Sequence, residues 1–374
     1  MAQLTRIYNL KVLSNVTTLG LQQNLLTSVD VNDLTSLQYL YVNDNNLLTL
    51  DISNLTNLQD LNAGSNQITS LDASTCINLL YLLVNNNQLS SINVSGLNSL
   101  LELNVESNNL TSLSVDDLVN LIRLYASINF LTSIDVSTLS NLQYLYINSN
   151  QLTSLDVTGL SNLEYLEASS NQLTSILYSG TILDNLYLDN NNFTSFDISG
   201  NTVIDQLNLS ENPLTSLNVT GCTNLRYLYA NDCQLTSINV STLTNLLQLG
   251  VNGNNLTSLN LSGKTELTYI GVTDNNLTSV TLTGCTDLSQ GDFSNNQLTT
   301  LDITGLTNYK FATVDNNLLT SAAVDDLLVK WNGFAPPSSF GIVNLAGTGN
   351  AAPGAAGLAA KTSLQGKGWT VTTN

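Results

Sequence analysis

The sequence contains no histidine. Ser-His and Cys-His nucleophile systems and most zinc sites depend on imidazole, so the absence excludes these classes of enzyme. A phosphate-binding loop and a dinucleotide-binding fingerprint are also missing. Two carboxylates about 5 to 9.5 Å apart could cleave a glycoside, but the candidates Asp60, Glu102, Glu106, Glu167 and Asp189 are scattered, and we interpret them as solvated surface groups. The sequence therefore predicts a protein that is not an enzyme and has no catalytic residues.

Basic residues are scarce, with nine Lys and Arg against 28 Asp and Glu and a net charge of −19. Nucleic acids and anionic membranes are bound by clusters of Lys and Arg, so neither is expected as a partner. The sequence also lacks an apolar run of about 18 residues, which a membrane-spanning helix requires. We therefore expect no nucleic-acid binding and no membrane insertion.

The sequence is rich in a repeat of 21 residues, LxxLxLxxNxLxxLxV followed by five connecting residues. A fixed period in this range is typical of a solenoid, in which each unit buries its apolar side only against its neighbours. The step from Leu163 to Leu183 is 20 residues, so one residue is missing near Tyr178–Ile182. The fifteen copies begin at Val16, Leu37, Leu58, Leu79, Leu100, Leu121, Leu142, Leu163, Leu183, Ile204, Leu225, Leu246, Leu267, Leu288 and Tyr309.

Within each repeat the pattern predicts a short strand and then a turn. In the segment YLYIN, Leu145 and Ile147 alternate with outward residues, which is the period of a half-buried strand, and copies of it would stack in parallel about 4.8 Å apart. The following LTSLDV predicts a second short strand or an extended segment. Asparagine occupies the turn position in fourteen of fifteen copies, and an inward amide there can satisfy unpaired backbone groups. Cys233 is the exception, where we expect a local defect or a water.

The motif LxxLxLxxNxL, recurring fifteen times over residues 16–324, resembles the leucine-rich repeat, and the unit ending in LDV is similar to a bacterial short-repeat subtype. The resemblance implies a right-handed solenoid of fifteen repeats, α/β by class but dominated by strands, with a parallel β-sheet on the concave face. Proteins with this fold usually bind proteins or glycans, although the fold alone does not define the function.

Both ends of the solenoid are predicted to be capped, within one structural domain overall. Residues 1–15 show no continuous apolar core, so no signal peptide is visible in this chain, and the alternative is a processed precursor. Leu4, Ile7, Leu10 and Val12 are interpreted as covering the first repeat. Residues 325–374 are predicted to form a C-terminal β-α-β cap. Its elements are a helical turn capped by Asp325-Asp326 and ended by Pro336-Pro337, a strand over Phe340–Gly347, a helix with Leu358 and Leu364 inward, and a final strand in WTVTTN. Residues 350–374 also resemble caps of leucine-rich-repeat proteins from bacteriophages and uncultured bacteria.

Cysteine and aspartate recur at fixed positions of the repeat. Cys76, Cys222 and Cys285 replace a leucine, and we interpret them as small buried hydrophobic residues, because they lie repeats apart and no CxxC is present. Aspartates such as Asp51 and Asp156 form a second column. Stacked like charges repel, so either solvent and salt screen them or Ca²⁺ bridges them. Apart from Ca²⁺, we expect no cofactor and no metal site.

Tyrosine is concentrated in the two outward columns of the first strand, which hold eleven of the fourteen tyrosines. Tyrosine offers a large contact area with few rotatable bonds and suits recognition surfaces. The alternative is that the rings pair across strands and only stabilise the sheet. The densest group spans three adjacent repeats and includes the one basic residue of these columns. The candidate ligand-binding residues are Arg123, Tyr125, Tyr144, Tyr146, Tyr165, Tyr187, Tyr227 and Tyr229.

The sequence thus favours a binding protein whose concave tyrosine face recognises a protein or carbohydrate ligand. The expected location is an extracellular surface or a phage virion, where the protein would serve host recognition or adhesion. The rival hypothesis is a structural component of a virion or surface, in which the repeats provide only length and rigidity. Outward columns vary between repeats while the leucine and asparagine positions hardly change, which favours recognition.

Overall fold

The computed structural model describes residues 4–5, 7, 10–13, 15–307, 309–334 and 341–374. The chain divides into two compact units, Met1–Leu183 and Asp184–Asn374. Each unit is a solenoid of short parallel strands, and each is described separately below.

In the first unit, a short 3₁₀ helix at Leu10–Leu13 precedes the strands. The main sheet is parallel in the order β1-β2-β3-β5-β7-β8-β9-β11, and β4-β6 and β10-β12 form two small sheets. The strands are β1 Thr18–Gly20, β2 Tyr39–Tyr41, β3 Asp60–Asn62, β4 Ser70–Asp72, β5 Tyr81–Leu83, β6 Ser91–Asn93, β7 Glu102–Asn104, β8 Arg123–Tyr125, β9 Tyr144–Tyr146, β10 Ser154–Asp156, β11 Tyr165–Glu167 and β12 Ser175–Leu177.

In the second unit the main parallel sheet runs β13-β15-β17-β18-β20-β22-β23-β24-β25, with small sheets β14-β16 and β19-β21. Its elements are β13 Asn185–Tyr187, β14 Ser195–Asp197, β15 Gln206–Asn208, β16 Ser216–Asn218, β17 Tyr227–Tyr229, β18 Gln248–Gly250, β19 Ser258–Asn260, β20 Tyr269–Gly271, β21 Ser279–Thr281, β22 Gln290–Asp292, β23 Phe311–Thr313, α1 Ser321–Asn332, β24 Gly341–Asn344, α2 Ala355–Gly366 and β25 Trp369–Thr372.

These elements confirm the predicted repeat. Each of the fifteen copies supplies one strand of a main sheet, and the central residue of that strand, such as Leu40 or Leu124, is buried between two outward residues. The second segment of the repeat forms a strand in eight copies and is irregular in the others that the structure describes. The short step lies at Tyr178–Ile182, where the turn at Ser179-Gly180 is not followed by the second turn that most other connecting segments have.

The turn asparagines form a ladder along each solenoid. Nδ2 of Asn45 donates to the carbonyls of Val42, Asn43 and, one repeat earlier, Leu21, while its Oδ1 accepts from the N–H of Leu26 at 3.0 Å. One buried amide therefore bonds four backbone groups of two repeats, and the carbonyls of Leu21 and Val42 each accept from two successive asparagines of the ladder. In the second unit the same pattern continues into the cap, where Nδ2 of Asn350 donates to Val314, Leu345 and Ala346.

Cys233 interrupts this ladder as expected. Its thiol donates to the carbonyls of Leu209 and Asn231 at 3.5 and 3.4 Å. A thiol cannot replace the amide oxygen as a strong acceptor, and the N–H of Leu214 bonds instead to the carbonyl of Asn212 at 2.8 Å. The defect is therefore local: a backbone hydrogen bond within this turn replaces the bond that an asparagine side chain would accept.

The other three cysteines occupy one buried position of the connecting segment, as predicted. The thiols of Cys76, Cys222 and Cys285 donate to carbonyls 24 residues earlier at 3.2 to 3.5 Å. Lys264 holds the same position, is only 3% exposed, and directs its ammonium to the carbonyl of Ser241 at 3.0 Å. Burial lowers the pKa of Lys264, because desolvation disfavours the charged form.

At the N-terminus the predicted apolar cover is only partly present. Leu4 is 48% exposed, which contradicts its assignment to the cover, while Ile7 and Leu10 are partly buried. The side chain of Val12 lies outside the described residues. Leu4 contributes through its backbone, because its N–H donates to Oδ1 of Asn24 and extends the ladder.

The C-terminal cap has the predicted strand–helix–strand crossover, with β24 and β25 parallel to β23. Helix α1 begins earlier than predicted, at Ser321, because the Thr320 hydroxyl accepts from the N–H of Ala323. Asp325 therefore does not cap its own helix. Its carboxylate accepts from the N–H groups of Gly354 and Gly357 at the start of α2, where an anion suits the helix dipole. Pro336-Pro337 and Phe340 lie outside the described residues.

The inward assignment was correct for Leu364 and wrong for Leu358, which is 52% exposed. Helix α2 buries Gly357, Ala360 and Leu364. A Cβ at Gly357 would lie 2.2 Å from Oδ1 of Asp325, so the close approach of the helices requires the glycine on the contact face. Leu358, the next residue, is turned away by the helical period.

Candidate functional site

The outward side chains of the first and third residues of each main-sheet strand form the sheet face of each unit. In β8, β9 and β11 the central leucines Leu124, Leu145 and Leu166 are fully buried. Since successive residues of a strand point to opposite sides, the flanking residues are outward, and each is partly exposed. Five predicted site residues lie here, and we refer to Arg123, Tyr125, Tyr144, Tyr146 and Tyr165 as the tyrosine cluster.

The rings of the tyrosine cluster are in mutual contact. Tyr125 and Tyr146 are stacked, with centroids 4.8 Å apart and planes at 14°. Tyr165 lies 4.9 Å from Tyr146 and 6.4 Å from Tyr144. These distances fall in the range of favourable aromatic pairs. Three adjacent repeats therefore share one continuous aromatic surface.

Arg123 is held at the edge of this surface by two contacts. Its guanidinium lies 3.7 Å from a carboxylate oxygen of Glu102 and 5.4 Å from the centroid of Tyr144. The second distance is that of a cation–π interaction. The cluster thus already accommodates one cation over a ring and beside a glutamate.

Two phenols of the tyrosine cluster have a raised pKa. Burial, followed by the carboxylate of Glu102, raises the pKa of Tyr125. Burial and then Tyr144 raise the pKa of Tyr146. Both effects disfavour a phenolate, so these hydroxyl groups are available as hydrogen-bond donors.

A groove of about 660 Å³ runs along one side of the tyrosine cluster. Leu101, Ile122 and Gln143, which immediately precede β7, β8 and β9, supply one part of its lining. Ser99, Asn120, Asn141 and Asn162 supply the other. The amide of Asn120 donates to the carbonyl of Asn98 at 2.8 Å, which fixes this wall. The groove could accept an extended segment lying beside the rings.

On the other side of the cluster, β8 is followed by a strained turn. The residue before the ladder position, which is asparagine in fourteen repeats and Cys233 in one, has positive φ in all fifteen repeats, from 52° to 62°. Asp, Asn, Ser, Gln, Glu or Gly fills it elsewhere, but here it is Ile128, with φ 55° and 49% exposure. A β-branched residue in this region is a true outlier. Phe130, two residues on, is 47% exposed. Sequence reasoning missed this pair, although comparison of that column between repeats could have found it.

Replacing Ile128 by asparagine is expected to raise the free energy of unfolding by about 1 kcal/mol, because asparagine tolerates positive φ. Ile77 provides the control, since it is 58% exposed and is not among the residues with positive φ. Ile77→Asn should change stability by less than about 0.5 kcal/mol. Urea unfolding curves of both variants test the difference, and equal effects would contradict the assigned strain.

The remaining predicted residues, Tyr187, Tyr227 and Tyr229, lie on the sheet face of the second unit. The hydroxyls of Tyr187 and Tyr229 donate to Oε1 of Gln206 and Gln248 at 2.7 and 2.5 Å. Tyr227 packs 5.6 Å from the guanidinium of Arg226. The eight predicted residues therefore belong to two units and are treated as two surfaces.

The second unit also has a shallow pocket of about 400 Å³ that sequence reasoning missed. Gly250 and Gly271 are the third residues of β18 and β20, beside this pocket, and neighbouring side chains fill the space that they leave. A Cβ at Gly250 would lie 2.9 Å from the Tyr229 ring, and one at Gly271 would lie 2.8 Å from the Tyr269 hydroxyl. The lining residues are Tyr229, Gln248, Thr268, Tyr269, Ser289 and Gln290.

The aspartate column has a local role in the backbone. Oδ1 of Asp51 accepts from the N–H of Ser53, two residues later, and Asn93 does the same for Ser95. That hydrogen bond lowers the pKa of Asp51, and bonds from the hydroxyl and N–H of Thr304 lower the pKa of Asp302 to about 2. Among the described residues, no group of three His, Cys, Asp or Glu side chains could hold a metal ion. Calcium bridging stays a prediction.

Neither of the two helices in the described part of the chain, each twelve residues long, has the length and apolar character needed to cross a bilayer.

Comparison with known proteins agrees with this geometry. The Leucine Rich Repeat family matches residues 36–58, 141–163 and 224–246. The functional domain of InlJ from Listeria monocytogenes, which includes a cysteine ladder, is 28% identical, with 84% of this chain and 71% of that domain covered and a TM-score of 0.77. A leucine-rich-repeat protein of Leptospira interrogans is 25% identical, with 86% and 90% covered and a TM-score of 0.66.

YopM, a leucine-rich effector protein from Yersinia pestis, shares the fold at 23% identity, with 80% and 84% covered and a TM-score of 0.68. Comparison with curated proteins gives no match. Leucine-rich-repeat proteins generally mediate protein binding and are typically non-enzymatic scaffolds. With its 21-residue period, its parallel strands and its likeness to these bacterial structures, the chain is a leucine-rich-repeat protein.

Proposed function

We propose that the chain recognises a protein ligand, without catalysing a reaction, through the tyrosine cluster and the features beside it. The cluster offers rigid rings with hydroxyl groups, which combine large contact area with hydrogen bonding. The groove at Leu101 and Ile122 lies on one side. Exposed Ile128 and Phe130 lie on the other. All of these features belong to adjacent repeats of the first unit.

The observation that carries the proposal is the strained, exposed Ile128 in the same repeat as Arg123 and Tyr125. Stacked tyrosines alone could be explained by sheet stability. A β-branched residue at φ 55° and an exposed phenylalanine both lower stability and solubility, so sheet stability does not explain them. Local rules are broken mainly at functional sites. Apolar groups at this edge also favour a protein over a carbohydrate as the ligand.

The proposed location is the one expected from the sequence, an extracellular surface or a virion, where the ligand would belong to a host or neighbouring cell. Similarity to the functional domain of InlJ from Listeria monocytogenes supports a bacterial setting. Immunogold labelling of intact cells or particles of the source would test the location separately from the binding site.

The binding proposal is tested with a display library of random 12-residue peptides selected on the whole protein. Affinities of the selected peptides are then measured for the wild type and for Tyr125→Ala/Tyr144→Ala/Tyr146→Ala. We expect a loss of at least about 30-fold, the effect of removing a binding hot spot.

Tyr39→Ala/Tyr41→Ala/Tyr81→Ala is the matched control, because it removes three tyrosines from the same sheet face of the same unit. It should leave affinity within about threefold. Equal losses in the two triple variants, or unchanged binding by the first, would refute the tyrosine cluster as the site. Thermal unfolding of both variants verifies that they are folded.

A further inference from the structure

The first unit carries an extreme charge imbalance. Between residues 12 and 183 the sequence has fourteen acidic residues and one basic residue, Arg123. The structure pairs that guanidinium with Glu102. A surface with such a potential attracts cationic partners and repels anionic ones, and the effect is largest at low ionic strength.

Four glutamates flank the tyrosine cluster on its two sides. Glu102 and Glu106 belong to the repeat of β7, one repeat before the cluster, and are partly exposed. Glu164 and Glu167 belong to the repeat of β11, and Glu164 is exposed. Three strand spacings separate β7 from β11, which places the two glutamate pairs about 14 Å apart. Tyr125, Tyr144 and Tyr146 are on the two strands between these pairs, and Tyr165 is on β11 itself.

Arg123 shows how this surface accommodates a cation. One end of the guanidinium meets a glutamate at 3.7 Å, and its carbon lies 5.4 Å from a tyrosine centroid. Tyr146 and Tyr165 offer further ring faces, and Glu106, Glu164 and Glu167 offer further carboxylates. Arg123 and the four flanking glutamates together have a formal charge of −3, so an incoming basic side chain would be attracted by both the carboxylates and the rings.

We propose that the ligand of this surface is a basic protein segment that lies extended across the tyrosine cluster and presents two Lys or Arg residues about four positions apart. An extended chain rises about 3.3 Å per residue, so four residues span the roughly 14 Å between the glutamate pairs. The segment crosses strands β8, β9 and β11, with its basic groups at the glutamates and the intervening residues on the rings. This inference rests on the proposed function, because it assigns the chemistry of the ligand bound at the same site.

The test uses the random 12-residue library selected on two proteins in parallel, the wild type and Glu106→Gln/Glu164→Gln/Glu167→Gln. Glutamine keeps the size and the acceptor oxygen of each side chain, including the one that accepts from Ser169. Peptides from the wild type should be enriched at least about threefold in Lys and Arg, with pairs separated by three or four positions. Peptides from the glutamine variant should lack this enrichment.

Asp135→Asn/Asp156→Asn is the charge control, because it removes two acidic groups of the same unit outside the sheet face. Asparagine fills this position in other repeats and makes the same turn. Selection on this double variant should still enrich peptides in Lys and Arg. Raising the salt from 50 to 300 mM should weaken basic peptides at least about fivefold on the wild type.

The outcomes separate the two proposals. Tyrosine-dependent peptides without basic enrichment would overturn the basic segment and leave the binding site standing. Equal loss of basic peptides in the charge control and in the glutamine variant would also overturn it, because general electrostatic attraction would then explain their binding. Selection that yields no tyrosine-dependent peptide would overturn both.

Discussion

Asn108→Ala is expected to lower the free energy of unfolding by about 3–5 kcal/mol. Nδ2 of Asn108 donates to the carbonyls of Val84, Val105 and Glu106 at 3.0 to 3.2 Å, and Oδ1 accepts from the N–H of Leu89 at 2.9 Å. The side chain is 6% exposed. Alanine would leave the buried N–H of Leu89 without this acceptor, which costs about 1–3 kcal/mol, and would remove three further hydrogen bonds worth about 0.5–1.5 kcal/mol each. The three carbonyls each keep a second donor. Urea unfolding followed by circular dichroism measures the change.

The neighbouring Asn109 provides a control of the same residue type. Its side chain is exposed, and it contributes to the repeat through a backbone bond to the carbonyl of Leu89. Asn109→Ala keeps that bond and should change stability by less than about 0.5 kcal/mol. Similar effects at positions 108 and 109 would show that the ladder does not hold the repeats together.

Gly291→Leu is expected to lower the free energy of unfolding by about 2–3 kcal/mol, although leucine or isoleucine fills this strand position in most repeats. A Cβ at Gly291 would lie 2.4 Å from the Tyr309 hydroxyl and 2.6 Å from the Phe293 ring. Tyr309 is fully buried and stacks 5.6 Å from Trp331. Tyr309 therefore fills the space that the glycine leaves, and a larger side chain overpacks it. Chemical denaturation of the variant measures the effect.

A double-mutant cycle gives the sharper test of this pair. Tyr309→Leu alone should lower stability, because it leaves a cavity and removes the contact with Trp331. The double variant should be more stable than the sum of the two single effects by about 2 kcal/mol, since the two positions compensate in volume. Simple additivity would contradict the assigned packing.

The strands and turns of the repeat could be predicted from the sequence, because the same residue types recur at the same positions in every repeat. Alternation around Leu145 predicted the strand, and the recurring asparagine predicted an inward amide, both of which the structure shows. The missing residue near Tyr178–Ile182 was also located. Fifteen copies make a pattern visible that one copy would leave ambiguous.

The C-terminal cap was harder to predict, because its sequence occurs only once and cannot be compared between copies. The sequence predicted that Asp325-Asp326 caps helix α1, but the Thr320 hydroxyl caps it and the helix begins at Ser321. Leu358 was assigned inward by its hydrophobicity, but the approach of α1 requires a glycine at the contact and turns the leucine outward. Tertiary packing decided both points, and propensity does not encode it.

At the candidate site, the columns of tyrosine were accessible from sequence and the arrangement of rings was not. Strand period alone places Tyr125 and Tyr146 outward, but their stacking depends on rotamers. The sequence also did not predict that five of the eight residues lie on the first unit and three on the second, which only the structure shows. Ile128 was recoverable, since the positive φ of its column is implied by the Asp, Asn, Ser and Gly of other repeats.

Hydroxyl-radical footprinting of the unmodified protein, with and without a selected peptide, tests the central claim most directly. Mass spectrometry reports the oxidation of each tyrosine, so the bound surface is located without any substitution. The account predicts that the peptide protects Tyr125, Tyr144, Tyr146 and Tyr165 at least about threefold, while Tyr39, Tyr41 and Tyr81 on the same sheet face keep their reactivity. Protection confined to residues outside the tyrosine cluster would contradict it.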